Sequence, residues 1–204
     1  SEIYGNPFDK FVPTKENYHG NVSSISDRSC YDESKRMGET YTYIYKDNFG
    51  VDAKIIRPFN FYGDGMRFSD ERIIPRFFSQ VLNNKPITVF SNGRQTRTYC
   101  HIFDSIVMIC KIMFKGKKFV YNVGNPTEEI SAAKLANKIL KTQKNTLSTA
   151  KKVPYPKDYP SDEPLRRCPS IMEFKSEFKF RPKIGLNKGL KFFSEYAKKN
   201  FIRS

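Results

Sequence analysis

The sequence predicts an α/β protein, and three features carry that prediction. Short apolar runs of strand length, "AKIIRPFNF", "ITVF" and "KFVYNV", alternate with longer stretches whose apolar residues recur at helical spacing. Glycine- and proline-bearing breaks separate the two kinds of segment. After Gly63 the breaks crowd together, which predicts a second, less regular lobe.

Taken in order, "SEIYG" at residues 1–5 reads as the end of a strand turning at Gly5, and a polar loop follows to about Ser29. A helix then runs to Gly50: Met37, Tyr41, Ile44 and Tyr45 fall at i, i+4, i+7 and i+8, Asp32 and Glu33 suit a first turn, and Gly50 supplies the stop. "AKIIRPFNF" is a buried strand that "YGDGM" breaks. A second helix spans roughly Asp70 to Asn83 with Ile73, Ile74, Phe77, Phe78, Val81 and Leu82 on one face, and Pro75 is tolerated there only near the first turn. "ITVF" is a strand and "SNGRQ" a turn. "DSIVMICKIMF" is a mostly buried helix with Asp104 as its N-cap, "KFVYNV" a strand, and "SAAKLANKIL" a helix capped by Ser131. Residues 141–169, rich in proline and lysine, read as irregular. Helices near 171–178 and 186–200 close the chain.

With 204 residues, 38% hydrophobic and 15% aromatic, the chain is long enough to bury a sizeable core. It contains no apolar run of about 18 residues and no signal segment, which predicts a cytoplasmic protein with no membrane partner. The four cysteines are dispersed and there are two histidines, so free thiols are expected rather than a zinc site or a disulfide framework. A net charge of +15 and a pI near 9.6 invite a nucleic-acid reading. The lysines are scattered, however, and none sits in a helix-turn-helix, finger or RNP pattern. A solvated basic surface and anionic small ligands account for the charge instead, and no nucleic-acid partner is expected.

"SCYDESKR" places Tyr31 and Lys35 one helical turn apart on a shared face. A phenol that works as a base must be brought from about 10 to near 7, a differential stabilisation of about 4 kcal/mol, and a neighbouring ammonium favours the phenolate. With 12 tyrosines in a lysine-rich chain, these residues alone read as a surface pair of an amphipathic helix. Its company changes the reading: "SEIYG", "DRSCYDESKR", "RPFNFYGDGM", "GRQTRTYCHIFD", "YNVGNP" and "DEPLRRCPSI" follow one another along the chain. In order and spacing they resemble the extended short-chain dehydrogenase/reductases that act on nucleotide sugars, the NAD-dependent epimerase/dehydratase family. The resemblance is closest to its UDP-glucuronate decarboxylase branch, with nucleotide-sugar 4,6-dehydratases and 4-epimerases as near relatives.

The resemblance implies an incomplete Rossmann-type parallel sheet, its C-terminal part, with a smaller mixed α/β substrate-binding lobe. Residues 1–62 would belong to the NAD-binding domain, and residues 63–204 mainly to the substrate lobe, with segments returning to the sheet. No Gly-rich G-x-x-G-x-x-G turn is present, so the family's nucleotide-binding half, roughly a hundred residues, is expected in a longer parent.

Position by position, the resemblance makes Tyr31 the catalytic base. It makes Lys35 the residue that lowers the base's pKa and holds the nicotinamide ribose, with the backbone around Pro58 and Phe59 bordering the nicotinamide. Ser1 would face the sugar O4 side, and Glu2 is the second acid, which decarboxylases and dehydratases use and 4-epimerases usually lack. Asn60 and Arg97 would hold the diphosphate, with Arg167 meeting the sugar carboxylate. Either arginine could instead be an ion pair, for example with Asp162 or Glu163, and Arg166 is a structural or surface cation. The resemblance further implies NAD as the cofactor, a UDP-sugar as the substrate and a homodimer. The alternative is a truncated non-catalytic relative that dimerises through the Tyr31 and Asp70 helices.

Overall fold

The computed structural model describes residues 1–143 and 146–201. Its chain opens on a 3-10 turn over Glu2–Tyr4 where the sequence predicts a strand end. Gly5 is the reason: at φ +56 and ψ −131 it turns the chain out of an extended path, and its N–H closes back on the Glu2 carbonyl at 2.9 Å. Gly5 then forms a parallel bridge with Asn21, which folds the polar loop back towards the turn.

Helix α1 (Ser29–Phe49) ends as predicted, with Gly50 left-handed at φ 66 and its N–H bonded to the Tyr45 carbonyl. Of its 21 residues only Asp32 is buried, and the Met37, Tyr41, Ile44 and Tyr45 stripe faces outward. Strands β1 (Ile55–Pro58) and β2 (Phe61–Tyr62) follow. Helix α2 (Ile73–Leu82) starts three residues later than predicted, which keeps Pro75 in its first turn. Then come β3 (Ile87–Phe90), β4 (Thr96–Arg97), β5 (Cys100–His101), α3 (Ile102–Lys115), β6 (Val120–Val123), β7 (Ile130–Ser131) and α4 (Ala132–Thr142). Strands β8 (Ala150–Val153) and β9 (Arg166–Arg167) precede α5 (Met172–Phe178) and α6 (Leu186–Asn200).

The architecture is α/β as expected. Strand β1 pairs in parallel with β6, β2 with β5 and β3 with β8, while β4 lies between antiparallel β7 and parallel β9. Among the described residues three apolar clusters result, the smallest of them Ile3, Tyr4 and Phe59; the other two form the larger cores. One joins Met108 and Ile112 of α3 to Tyr121 and Val123 of β6 and Phe174 of α5. The other joins Phe77, Phe78 and Val81 of α2 to Ile87 and Val89 of β3, Leu135 and Ile139 of α4, and Leu190 and Phe193 of α6. Each such side chain contributes about 1.5–3 kcal/mol on burial.

Helix α2 buries Ile74, Phe77, Phe78 and Val81 inside the chain. Two expectations change. Asp104 does not cap α3: His101 does, through Nδ1 accepting from the Phe103 N–H at 3.4 Å. The Asp104 carboxylate instead accepts the backbone N–H groups of Lys183 and Ile184 at 2.9 and 2.7 Å. The stretch read as irregular contains β8 and β9, and residues 144 and 145 of it lie outside the described residues. Ser131 caps α4 as predicted, its hydroxyl accepting from the Lys134 N–H at 3.3 Å. No helix of the described residues is long and apolar enough to cross a membrane.

Candidate active site

Two clefts of about 530 Å³ each meet at the start of α1. Four residues line both: Ser1, Glu2, Tyr31 and Pro58. Asn60 and Arg97 open only onto the first cleft, with Phe90, Gln95 and Tyr159. Lys35 opens only onto the second, with Gly38, Glu39, Thr42 and Lys54. The sequence-predicted residues thus divide between a shared wall and two separate chambers.

Tyr31 sits in the first turn of α1, 48% exposed, and the Lys35 ammonium lies 5.2 Å from its ring centroid. The i, i+4 spacing produces this directly. Lys35 has no carboxylate within ion-pair distance among the described residues, so its donors remain available to a ligand in the second cleft. That chamber offers a cation, the Thr42 hydroxyl and the apolar Ile55, Ile56 and Pro58 of β1. This donor set fits a ribose with a planar ring beside it.

Glu2 is fixed from both sides. Arg167 grips it with two bonds of 2.5 and 2.7 Å, Arg28 pairs with it through Nη2, and the Ser1 hydroxyl donates to it at 3.3 Å. Burial alone would raise the Glu2 pKa, but the Arg167 guanidinium, aided by Arg28, holds it below the ordinary value. Arg167 itself is buried and does not line the first cleft, so it reaches that cleft only through Glu2. Its ion pair is with Glu2 and not with Asp162 or Glu163.

Arg97 does line the cleft, yet it is engaged: Nη2 donates to Glu163 at 2.9 Å and to the Pro164 carbonyl at 2.5 Å, and Nη1 to the Thr96 carbonyl at 2.9 Å. Glu163 also accepts from Arg28 at 2.6 Å. The segment that carries Glu163 is further tied to the start of α1 by Ser161, whose N–H and hydroxyl donate to Asp27 at 3.1 and 3.0 Å. Arg166 is structural, in a two-bond pair with Glu129 at 2.7 and 2.8 Å.

Asn60 adopts φ 46, which Asn tolerates better than most residues, and donates its amide to the Thr98 carbonyl at 2.8 Å. Phe59 lines neither cleft; its ring is 1% exposed against Ile3 and Tyr4. Arg28 was missed in the sequence, although it pairs with Glu2, Asp32 and Glu163. Its only sequence signal is the i, i+4 relation to Asp32.

A sequence model of the NAD dependent epimerase/dehydratase family matches residues 1–124. UDP-glucuronic acid decarboxylase 1 of Arabidopsis thaliana is 35% identical over 190 residues, covering 93% of this chain and 42% of that protein. The chain spans about half the length of the curated relatives it matches. Among solved structures, dTDP-glucose 4,6-dehydratase from Bacillus anthracis in complex with NAD is similar with a TM-score of 0.82 and 21% identity, over 99% of this chain and 60% of that one. UDP-glucuronic acid 4-epimerase from Bacillus cereus in complex with UDP-glucuronic acid and NAD gives 0.74 and 24%, over 98% and 59%.

Proposed function

Because the chain belongs to the NAD dependent epimerase/dehydratase family, we propose that the protein it forms is a UDP-glucuronate decarboxylase that uses NAD. The observation that carries this reading is the shared wall: Tyr31, Ser1 and Glu2 face both chambers at once. The first cleft would hold the nucleotide sugar and the second the nicotinamide ribose, so that sugar C4 lies beside the phenol. The 35% identity to a decarboxylase supports the choice among the family's reactions. In this reading residues 1–62 are the end of the NAD-binding domain and residues 63–204 mainly the substrate lobe. The protein is a cytoplasmic homodimer through α1.

Lys35 and the β1 wall of the second cleft would hold NAD, which would supply a reversible hydride acceptor for sugar C4. Tyr31 removes the proton of the 4-hydroxyl as that hydride leaves, and Lys35 one turn away stabilises the phenolate and holds the ribose. The C4 ketone makes the uronate a β-keto acid, so its carboxylate departs as carbon dioxide while the ketone oxygen takes the electron pair. The Ser1 hydroxyl, held by Glu2, gives its proton to C5 as the enolate collapses back to the ketone and is reprotonated from solvent water, and Tyr31 returns its proton to O4. Arg167 and Arg28 are positioning residues: they keep Glu2 ionised and immobile. Asn60 and Arg97 bind the diphosphate side.

The test is incubation of the full-length parent protein, with the nucleotide-binding half that the resemblance implies, with NAD and UDP-glucuronate, following carbon dioxide and the sugar product. UDP-xylose formation that Tyr31→Phe lowers by at least about a thousandfold is the expected result. A 4-keto-6-deoxy sugar from a nucleotide hexose, with no carbon dioxide, would make it a dehydratase. Silence with every nucleotide sugar would leave a non-catalytic relative.

A further inference from the structure

Arg76, in the first turns of α2, lines the first cleft and has no role in the mechanism above. The other arginines around this cleft are neutralised: Arg28 by Glu2, Asp32 and Glu163, Arg72 by Asp70, Arg97 by Glu163, and Arg167 by Glu2. Among the described residues Arg76 has no carboxylate within ion-pair distance. Its one hydrogen bond runs from Nη1 to the Thr88 hydroxyl at 3.1 Å, and its Nε is buried without an acceptor.

The group is nonetheless held in place. Its guanidinium lies 4.2 Å from the centroid of the Phe90 ring and 5.3 Å from that of Phe77. The Thr88 hydroxyl that it meets is itself fixed by the Gln80 amide at 2.7 Å. Burial disfavours the charge on Arg76, and the largest opposing influence is Glu71, which lines the same cleft without forming an ion pair with it. A partly dehydrated, oriented guanidinium with no ion-paired carboxylate is the arrangement in which an incoming oxyanion gains most.

We propose that Arg76 is a phosphate-binding residue of the first cleft, receiving an oxyanion of the nucleotide diphosphate. The choice of phosphate rests on the nucleotide-sugar reading of this cleft. Arg97, the residue that resemblance assigns to the diphosphate, has both terminal nitrogens committed to Thr96, Pro164 and Glu163. A ligand must compete for Arg97, whereas Arg76 has open donors.

Phosphorus NMR titration of wild-type protein, Arg76→Gln and Arg76→Lys with UDP, GDP and inorganic pyrophosphate tests the proposal, with proton NMR of uridine as the phosphate-free control. Arg76→Gln should weaken UDP and pyrophosphate about tenfold or more and leave uridine unchanged, with Arg76→Lys recovering part of the loss. Unchanged uridine binding also shows that the variant is folded. Wild-type affinity of Arg76→Gln for both phosphates would overturn the proposal, as would wild-type protein that binds neither. Arg76-dependent binding of pyrophosphate, with UDP no tighter than GDP, would sustain the phosphate site and overturn the uridine-nucleotide reading instead.

Discussion

Glu2 shows at the scale of one residue how the site is built, because its position depends on partners far along the chain. Arg167 and Arg28 reach it from β9 and from the residue capping α1. Removing one partner of a buried pair leaves the other charge uncompensated, so Arg167→Ala should cost about 3–5 kcal/mol in urea unfolding, less whatever Arg28 still neutralises. A loss under about 1 kcal/mol would show that Arg28 alone suffices. The pH dependence follows from the same pair. The folded-state pKa of Glu2 lies below its ordinary value of 4.5, so the pair's stabilisation is fully present above that value and is lost as pH falls through the folded one. Glu129, lowered by its hydrogen bonds with Arg166, acts with the same sign. Urea midpoints should therefore fall as pH drops below 4.5, and Glu2→Gln should flatten that slope. The wall residues Ser1, Glu2, Tyr31 and Pro58 were legible in the sequence because each lies in a short contiguous motif. Arg28 and Glu163 were not identified as site residues, since an ion pair across 135 residues leaves no local spacing to read.

Elements were legible where their periodicity was long enough to count. Helices α1, α2, α4, α5 and α6 and strands β1, β3 and β6 stand where the apolar pattern put them, within a few residues. The two-residue strands β2, β4, β5, β7 and β9 cannot show alternation at all. Strand β8 reads "AKKV" with its first three residues exposed, so its pairing with β3 is carried by backbone bonds alone. The misread opening segment turns on Gly5, and two glycines separate the causes. At Gly5 a Cβ would lie 2.1 Å from the Asn21 carbonyl oxygen, whereas at Gly50 nothing lies within 4 Å. Both have positive φ. Gly50→Ala should then cost only the left-handed penalty of about 1–2 kcal/mol, and Gly5→Ala distinctly more, because the bridge to Asn21 must open. Equal urea-unfolding losses for the two variants would show that the turn at Gly5 yields to a methyl group.

At the scale of the whole molecule, the placement of apolar surface is the unresolved balance. Helix α1 has Met37, Tyr41, Ile44 and Tyr45 at 51%, 57%, 37% and 57% exposure, a continuous stripe on the helix that carries Tyr31 and Lys35. What holds α1 to this chain is largely polar: the Arg28 cluster at its start, Arg36 donating to the Ile3 and His19 carbonyls at 3.1 and 2.7 Å, and Glu39 gripping Arg57 at 2.8 and 2.6 Å. An apolar stripe of this length is favoured only when covered, each side chain contributing about 1.5–3 kcal/mol on burial. Helix α2 buries its apolar face within the chain, which leaves the α1 stripe as the larger exposed apolar surface of the two helices. Sedimentation velocity at micromolar concentration should find the wild-type protein self-associated and the double variant Tyr41→Glu, Ile44→Glu monomeric. Since neither side chain is buried, the variant's urea midpoint should correspond to a loss within about 0.5 kcal/mol. A monomeric wild type would remove the homodimer from the proposed function. A dimeric variant would move the interface off this stripe, and a variant that loses decarboxylation along with association would show that the dimer keeps the first turn of α1 in register beneath Glu2.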